Sequence, residues 1–326
     1  MKIEDYALIG DCHSGALVGR DGSIDWLCWP RFDSAACFAA LLGGPQHGRW
    51  KIAPVGASRS SRQYRDDTLV LETGFETAHG SAALIDFMPA RDQHCNLVRI
   101  VEGRRGRVRM EMEFILRFDY GASVPWVTRL ADNKGIRAIA GPDSAVLRSP
   151  VPLEGRDFKT LASFEIAEGQ RIAFSLTHGP SHLAMPDPLD AEGALAATQE
   201  FWRKWAGRCS LGGEWASLVR RSLLTLKALT YAPTGGVVAA PTTSLPEKIG
   251  GVRNWDYRFC WVRDATLTLQ ALLHAGYTEE AGAWRDWLLR AVAGSPDEMQ
   301  IMYGPAGERR LTEIEVDWLP GYEGST

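Results

Sequence analysis

Apolar and polar residues alternate with a period of two through most of the first 186 positions, and turn residues interrupt the alternation at short intervals. Residues 16–18 and 24–27 flank Asp21-Gly22, an Asp-Gly between apolar runs that predicts a hairpin. Residues 69–73 and 82–86 bracket His79-Gly80 in the same way, and 97–100 and 108–112 bracket Gly103-Arg104-Arg105-Gly106. Further pairs are expected at 136–140 with 145–148, and at 161–166 with 171–176 around Ala167-Glu168-Gly169-Gln170. Short strands joined by tight turns predict an antiparallel sandwich of about ten strands, not a parallel sheet with crossover helices.

The period changes at Met185-Pro186-Asp187-Pro188. Residues 189–208 read as a helix with Phe201, Trp202 and Trp205 toward one side. A second helix is predicted over 214–231, with Trp215, Leu218, Val219, Ser222, Leu226 and Leu229 recurring at helical spacing. Residues 264–275 are apolar nearly all round and close at Gly276, which predicts a helix buried on every side. Thr278-Glu279-Glu280 opens a fourth helix with acids in its first turn, and Gly294-Ser295-Pro296 stops it.

Composition narrows the class of protein. The 326 residues are 45% hydrophobic and 23% charged, a globular balance with room for about two domains. Lys and Arg number 36 against 40 Asp and Glu, and a net charge of −4 offers no long-range attraction to a polyanion, so nucleic acid is excluded as the main partner. The acidic start and the lack of any run of about 18 apolar residues argue against a signal peptide and a membrane span, and a cytoplasmic protein is expected. Cys12, Cys28, Cys37, Cys95, Cys209 and Cys260 form no C-x-x-C pair and are expected to be buried free thiols.

Common cofactor and nucleophile signatures are missing: there is no phosphate-binding glycine loop, dinucleotide fingerprint or nucleophile elbow, so no cofactor is expected. Gly179-Pro180 separates His178 from His182, and Asp11-Cys12-His13 are adjacent side chains that do not converge on one ion, so no metal is expected either. Arg104, Arg105, Arg107 and Arg109 read as a solvated hairpin turn and its following strand. The segment Asn254-Trp255-Asp256-Tyr257-Arg258-Phe259-Cys260-Trp261-Val262-Arg263-Asp264 is different, because it crowds aromatic rings, arginines and aspartates into eleven positions before an apolar helix. Aromatic faces suit the C–H surface of a sugar ring, and Asp and Arg suit its hydroxyls. A purely structural reading fits the same residues: Asp264 as N-cap of the next helix, Arg263 paired with Asp256, and the rings as core.

That segment, with upstream Pro241-Thr242-Thr243-Ser244-Leu245-Pro246-Glu247 and downstream Trp318-Leu319-Pro320-Gly321-Tyr322-Glu323-Gly324-Ser325, closely resembles the bacterial branch of glycoside hydrolase family 15, the glucoamylases and trehalases. The opening Ile9-Gly10-Asp11, the run from Ala16 to Cys28, and Pro30-Arg31-Phe32-Asp33-Ser34 resemble the domain that precedes the catalytic domain there. The resemblance implies an N-terminal antiparallel β super-sandwich over 1–186, a linker helix over 187–213, and over 214–326 the first helices of an incomplete (α/α)6 barrel. It implies that Arg263 and Asp264 bind hydroxyls of the nonreducing glucose and that Tyr257 and Trp261 line the same subsite; Trp255 and Glu323 are further substrate-binding candidates, Glu323 in the loop that resembles the rim of the sugar site. The substrate would be a terminal α-glucoside or trehalose, cleaved with inversion by a general acid and a general base about 6.5–9.5 Å apart.

Twelve barrel helices of roughly 12 residues each, with loops, need far more than the 113 residues from Glu214 onward. The resemblance therefore places both catalytic Glu beyond Thr326 and predicts that these residues alone are nearly inactive. Inside the chain, Glu313, Glu315 and Asp317 alternate with Ile314 and Val316 and read as the solvated edge of a strand. The rival functional class is a noncatalytic sugar-binding or assembly module, associating with a separate chain through uncovered barrel helices such as the one bearing Leu267.

Overall fold

The computed structural model describes residues 1–292 and 294–325. Fifteen strands fill the first 180 residues: β1 (Tyr6–Gly10), β2 (Gly15–Gly19), β3 (Ser23–Cys28), β4 (Ala36–Phe38), β5 (Arg49–Pro54), β6 (Arg59–Tyr64), β7 (Leu71–Thr77), β8 (Gly80–Phe87), β9 (Cys95–Ile115), β10 (Trp126–Arg129), β11 (Gly135–Ala140), β12 (Asp143–Arg148), β13 (Glu154–Arg156), β14 (Lys159–Ala167) and β15 (Arg171–Pro180). Their pairings are antiparallel and form two layers. One layer runs β1-β2-β3-β5-β9-β14-β13, with β4 on β3. The other runs β6-β7-β8-β9-β15-β12-β11-β10. A single apolar core joins them, with Ile9, Ile24, Trp50 and Met112 from one layer against Leu84, Leu97, Leu147 and Phe174 from the other.

β9 belongs to both layers, and here the structure departs from the pattern reading. Residues 97–112 are one uninterrupted strand, not a hairpin around Gly103-Arg104-Arg105-Gly106. Its first half pairs with β8 and β15, and its second half with β5 and β14. The glycines mark close backbone approach, not a turn. A Cβ on Gly103 would lie 2.0 Å from the Ala167 carbonyl oxygen; one on Gly106, whose φ is +62°, would lie 2.4 Å from that of His79. The arginines stand along this strand and pair with acids, Arg104 with Glu72 of β7 and Glu102 of its own strand, and Arg107 with Glu165 of β14. β14 and β15 likewise do not pair with each other. The turn at 167–170 carries the chain from one layer to the other and bonds to the crossing point of β9, where Gly103 N donates to Gln170 O at 2.9 Å and Glu168 N to Gly106 O at 3.0 Å.

One charged pair lies inside this core. Arg99 and Asp86 have no solvent-exposed side-chain surface and meet at 2.8 Å. Arg99 comes from one layer, yet it donates to the Gly22 and Trp50 carbonyls of the other and lies 5.2 Å over the Trp50 ring. Burial pushes the Asp86 carboxyl above its ordinary value, and the facing guanidinium pulls the other way. A buried cation left without its anion is costly.

Among the described residues four α-helices follow: α1 (Ala191–Ala206), α2 (Ala216–Ala228), α3 (Val262–His274) and α4 (Thr278–Ala291). The Asp190 side chain caps α1 by accepting from Glu192 N. Trp202 and Trp205 then pack with Leu223, Leu224, Leu272 and Tyr277 against Cys12 and Leu69 of the sandwich. Trp205 stacks on Tyr277 at 4.1 Å. Two expectations about these helices are corrected. α2 buries Leu223, Leu224 and Ala228, leaving Trp215 and Leu218 of the predicted stripe exposed. α3 buries Ala265, Thr268 and Leu272 on one face only, because its neighbours α2 and α4 leave the other face uncovered, and Leu267 remains 63% exposed. Leu218, Leu226, Ala271 and His274 line an open apolar groove of about 330 Å³ between α2 and α3.

Glu280 ties the helices together. Its carboxylate accepts from Trp205 Nε1 at 2.5 Å, Arg208 at 2.7 Å and Lys227 at 3.2 Å, which joins α1, α2 and α4. Burial opposes its ionisation, but the Trp205 hydrogen bond and the Lys227 charge prevail and hold it below the usual carboxylate range. No helix among the described residues is long and apolar enough to cross a membrane. The cysteines are free, all buried except the half-buried Cys209.

Two measurements check this account of the fold. Asp86→Ala should lower unfolding stability in urea by about 3–5 kcal/mol, through the unpaired Arg99. The Glu280 contribution should be present above the ordinary Glu value of about pH 4.3 and fade as pH falls toward its depressed folded value. Glu280→Gln should flatten that acidic part of the stability curve.

Candidate functional site

The conspicuous aromatic segment follows a short two-stranded excursion. Backbone bonds run Pro241 to Glu247 antiparallel to the stretch from Arg253 to Tyr257: Tyr257 N to Thr242 O at 3.2 Å, Ser244 N to Trp255 O at 2.7 Å, and Glu247 N to Arg253 O at 3.0 Å. Two blocks separate in sequence thus become one platform. The next turn enters α3, and Trp261, in extended conformation, is its N-cap residue. Asp264 is therefore not the N-cap. It lies in the first helical turn, where the unpaired backbone N–H groups favour an anion.

Three rings stand edge to face on this platform. Trp261 lies 6.2 Å from Trp255 at 82° and 5.6 Å from Tyr257 at 74°. The Trp261 indole donates to the Asp256 carbonyl at 3.0 Å, and that of Trp255 to Glu247 at 3.3 Å. Arg263 extends over the Trp261 ring at 5.8 Å and reaches Asp264 at 3.0 Å. The hydrogen bond that Arg263 donates to Asp264 raises its already high pKa, so the cation persists at any working pH. Arg263 is mostly exposed and Asp264 partly so, which leaves both with open hydrogen-bonding capacity beside the rings. Trp255, Tyr257, Trp261, Arg263 and Asp264 are thus brought together. Glu323 is exposed on a separate turn, Tyr322–Gly324, which packs near the sandwich residues Ala40–Leu42.

The partner of Asp256 is Arg258, not Arg263. Arg258 is 6% exposed, and its Nη2 lies 2.7 Å from Asp256 Oδ2, with Nε 3.0 Å from Oδ1. Its remaining N–H groups cross to the sandwich: Nη1 donates to Ser34 O at 2.8 Å and to Cys28 Sγ at 3.5 Å, and Nη2 to the Tyr120 hydroxyl at 2.8 Å. Burial pushes the Cys28 thiol up to about 11, so the sulfur beside this guanidinium stays neutral. Sequence reasoning missed Arg258 as the organiser of the segment. Its spacing two residues after Asp256, which lets one backbone turn close the pair, was the available signal.

The other motif blocks converge on the same place. Trp26 donates to Pro241 O at 2.7 Å, Trp318 to Tyr120 O at 3.1 Å, and Gly250 N to Ser325 Oγ at 2.8 Å. Leu319 is buried against Trp26, Cys28 and Ala36. Glu313, Glu315 and Asp317 form no strand; they lie exposed on an irregular stretch. His178 bonds Asp143 at 2.8 Å, while Asp11 is taken up by Arg91 and by the His13 and Ser14 amides. Among the described residues no group of three His, Cys, Asp or Glu side chains is arranged to hold a metal.

A double-layer sandwich is thus joined to helices that carry three edge-to-face rings and an Arg-Asp pair, and matches to glycosidase families place this architecture in the carbohydrate-active class. The chain belongs to glycosyl hydrolases family 15: residues 213–326 match the model for that family, and residues 1–185 match the trehalase-like N-terminal model. It is 34% identical to a trehalase of Mycolicibacterium smegmatis, over 99% of this chain and 52% of the relative. It is 32% identical to a trehalase of Thermoplasma volcanium, over 99% of this chain and 52% of that protein. Its fold is also similar to a bacterial glucoamylase solved with acarbose, with a TM-score of 0.69 and 14% identity, covering 95% of this chain and 53% of that one. The chain spans about half the length of these relatives.

Arg258→Ala leaves Asp256 and the Tyr120 hydroxyl without their partner at the junction of the two halves. Urea unfolding should show a loss of about 2–4 kcal/mol, and Arg258→Lys should recover only part of it, because one ammonium cannot make a planar fork of bonds.

Proposed function

We propose that the segment from Trp255 to Asp264 is the wall of a nonreducing-glucose subsite in an inverting α-glucoside hydrolase, with trehalose as the first substrate to test. The observation that carries this reading is the Arg263–Asp264 pair at the start of α3, beside three edge-to-face rings. Sugar C–H faces pack on such rings, and a carboxylate and a guanidinium at fixed spacing accept from and donate to adjacent hydroxyls. The names of the relatives favour trehalose over longer α-glucans.

We divide the chain as a sandwich over 1–186, a linker helix over 187–213, and the opening of an (α/α)6 barrel over 214–326. The exposed apolar face of α2 and α3 supports the last assignment, since barrel helices are covered by neighbours on either side. In this reading Tyr257, Trp261, Arg263 and Asp264 contact glucose, Trp255 and Glu323 border the pocket, and neither catalytic carboxylate is assigned within residues 1–326. Inversion requires an acid and a base with a water between them. Glu313, Glu315 and Asp317, exposed and remote from the aromatic group in sequence, receive no such role.

Calorimetric titration with glucose tests the subsite, and a glucose-release assay with trehalose and maltose tests the missing pair. The 326-residue chain should bind glucose and release little from either disaccharide. Asp264→Asn should weaken glucose binding about tenfold, the loss expected of a charge-assisted hydrogen bond. Unchanged affinity in that variant would overturn the subsite, and rapid glucose release would overturn the placement of the catalytic pair.

A further inference from the structure

The loop between β9 and β10 is sharply bent where it meets the helical half of the chain. Asp119, Tyr120 and Gly121 take φ values of 52°, 57° and 99°, three successive residues in left-handed conformation. Glycine adopts that region freely, whereas two consecutive residues with side chains stay there only where their surroundings impose it. Phe118 and Ser123 close the loop with reciprocal backbone bonds of 2.9 and 3.0 Å, the Ser123 hydroxyl donates to Asp119 at 2.5 Å, and the Trp318 indole pins the Tyr120 carbonyl at 3.1 Å. The outcome is a tyrosine presented to Arg258 in two ways, with its hydroxyl 2.8 Å from Nη2 and its ring 5.3 Å from the guanidinium carbon.

We propose that Tyr120 is a positioning residue for the glucose wall, acting from the sandwich through Arg258 and Asp256. The path is continuous. Tyr120 fixes the plane of the guanidinium, the guanidinium holds the Asp256 carboxylate through two nitrogens, and the Asp256 carbonyl holds the Trp261 indole at 3.0 Å. Trp261 in turn underlies Arg263. Asp256 thus performs two tasks with different atoms, so a change in how Arg258 seats its side chain is felt by the ring through its backbone. With the hydroxyl removed, Nη2 keeps only Asp256, and the guanidinium, still held by Ser34 O and Cys28 Sγ through Nη1, loses the one contact that opposes Asp256 at Nη2 and is free to shift toward the carboxylate. The sandwich is on this view part of the binding apparatus, although none of its residues need touch the sugar.

The inference rests on the subsite reading above, and the test separates the two. The whole chain is labelled with 5-fluorotryptophan, and the Trp261 resonance is assigned by its loss in Trp261→Phe. Tyr120→Phe should move or broaden that resonance and weaken glucose binding about threefold to tenfold. Tyr64→Phe is the control: Tyr64 likewise lies under an arginine, Arg221 at 4.1 Å, at another point where the sandwich meets the helices, but its hydroxyl donates to a backbone carbonyl, Leu8 O at 2.8 Å, and touches no residue of the aromatic segment. It should leave both the Trp261 resonance and glucose affinity unchanged. A Trp261 resonance unmoved by Tyr120→Phe overturns the clamp, and so does a moved resonance with unaltered affinity. Failure of the unsubstituted chain to bind glucose overturns the subsite reading instead, and is recognised before any variant is compared.

Discussion

A single guanidinium, removed from water, organises the junction on which the candidate site is built. Arg258 is surrounded by groups that accept from it: a carboxylate on its own segment, and a carbonyl, a thiol sulfur and a phenol oxygen from the sandwich. A cation in that position is tolerable only while the whole set is present, since its dehydration must be offset by good geometry on every side. The requirement runs in both directions. The sandwich must deliver Ser34, Cys28 and Tyr120 to one point, and the aromatic segment must fold back so that Asp256 closes the remaining side.

This explains why the short blocks that stand out along the sequence lie so far apart yet meet. Trp26, Ser34, Pro241, Asp256 and Trp318 all serve one interface, and each contributes a backbone or side-chain hydrogen bond to it. The exposed Arg263–Asp264 pair is the part of this assembly with hydrogen-bonding capacity to spare. Rigid support beneath and unsatisfied polar groups above are what a binding site for a hydroxylated ligand requires.

Much of the architecture was legible because period-two and helical patterns are local. The hairpins around Asp21-Gly22 and His79-Gly80 and the helices near 191–206 and 278–291 follow their turn and cap residues. What was not legible depends on neighbours distant in sequence. Gly103 and Gly106 look like turn residues until the carbonyls of Ala167 and His79 are placed against them. Leu267 and Trp215 look like core until their helices are found to be covered on one side only. At the site, the aromatic residues and the Arg-Asp pair announced themselves by crowding. Arg258, Tyr120 and Ser34 did not, because an interface arginine and an exposed one look alike until the facing domain is known. The purely structural reading of the segment therefore pairs Asp256 with Arg263, where the structure pairs it with Arg258.

The strand from Cys95 to Ile115 has a consequence of its own. Because its two halves lie in different layers, with Arg99 bonded across the core, neither layer can come apart while the other remains intact. The two sheets accordingly form one cooperative unit, in which local opening is confined to the outer strands such as β6, β10 and β13. A surface that rests on the sandwich, as the segment around Arg258 does, is supported by an element that is either wholly folded or wholly lost. Gradual softening of that support with temperature is thereby avoided.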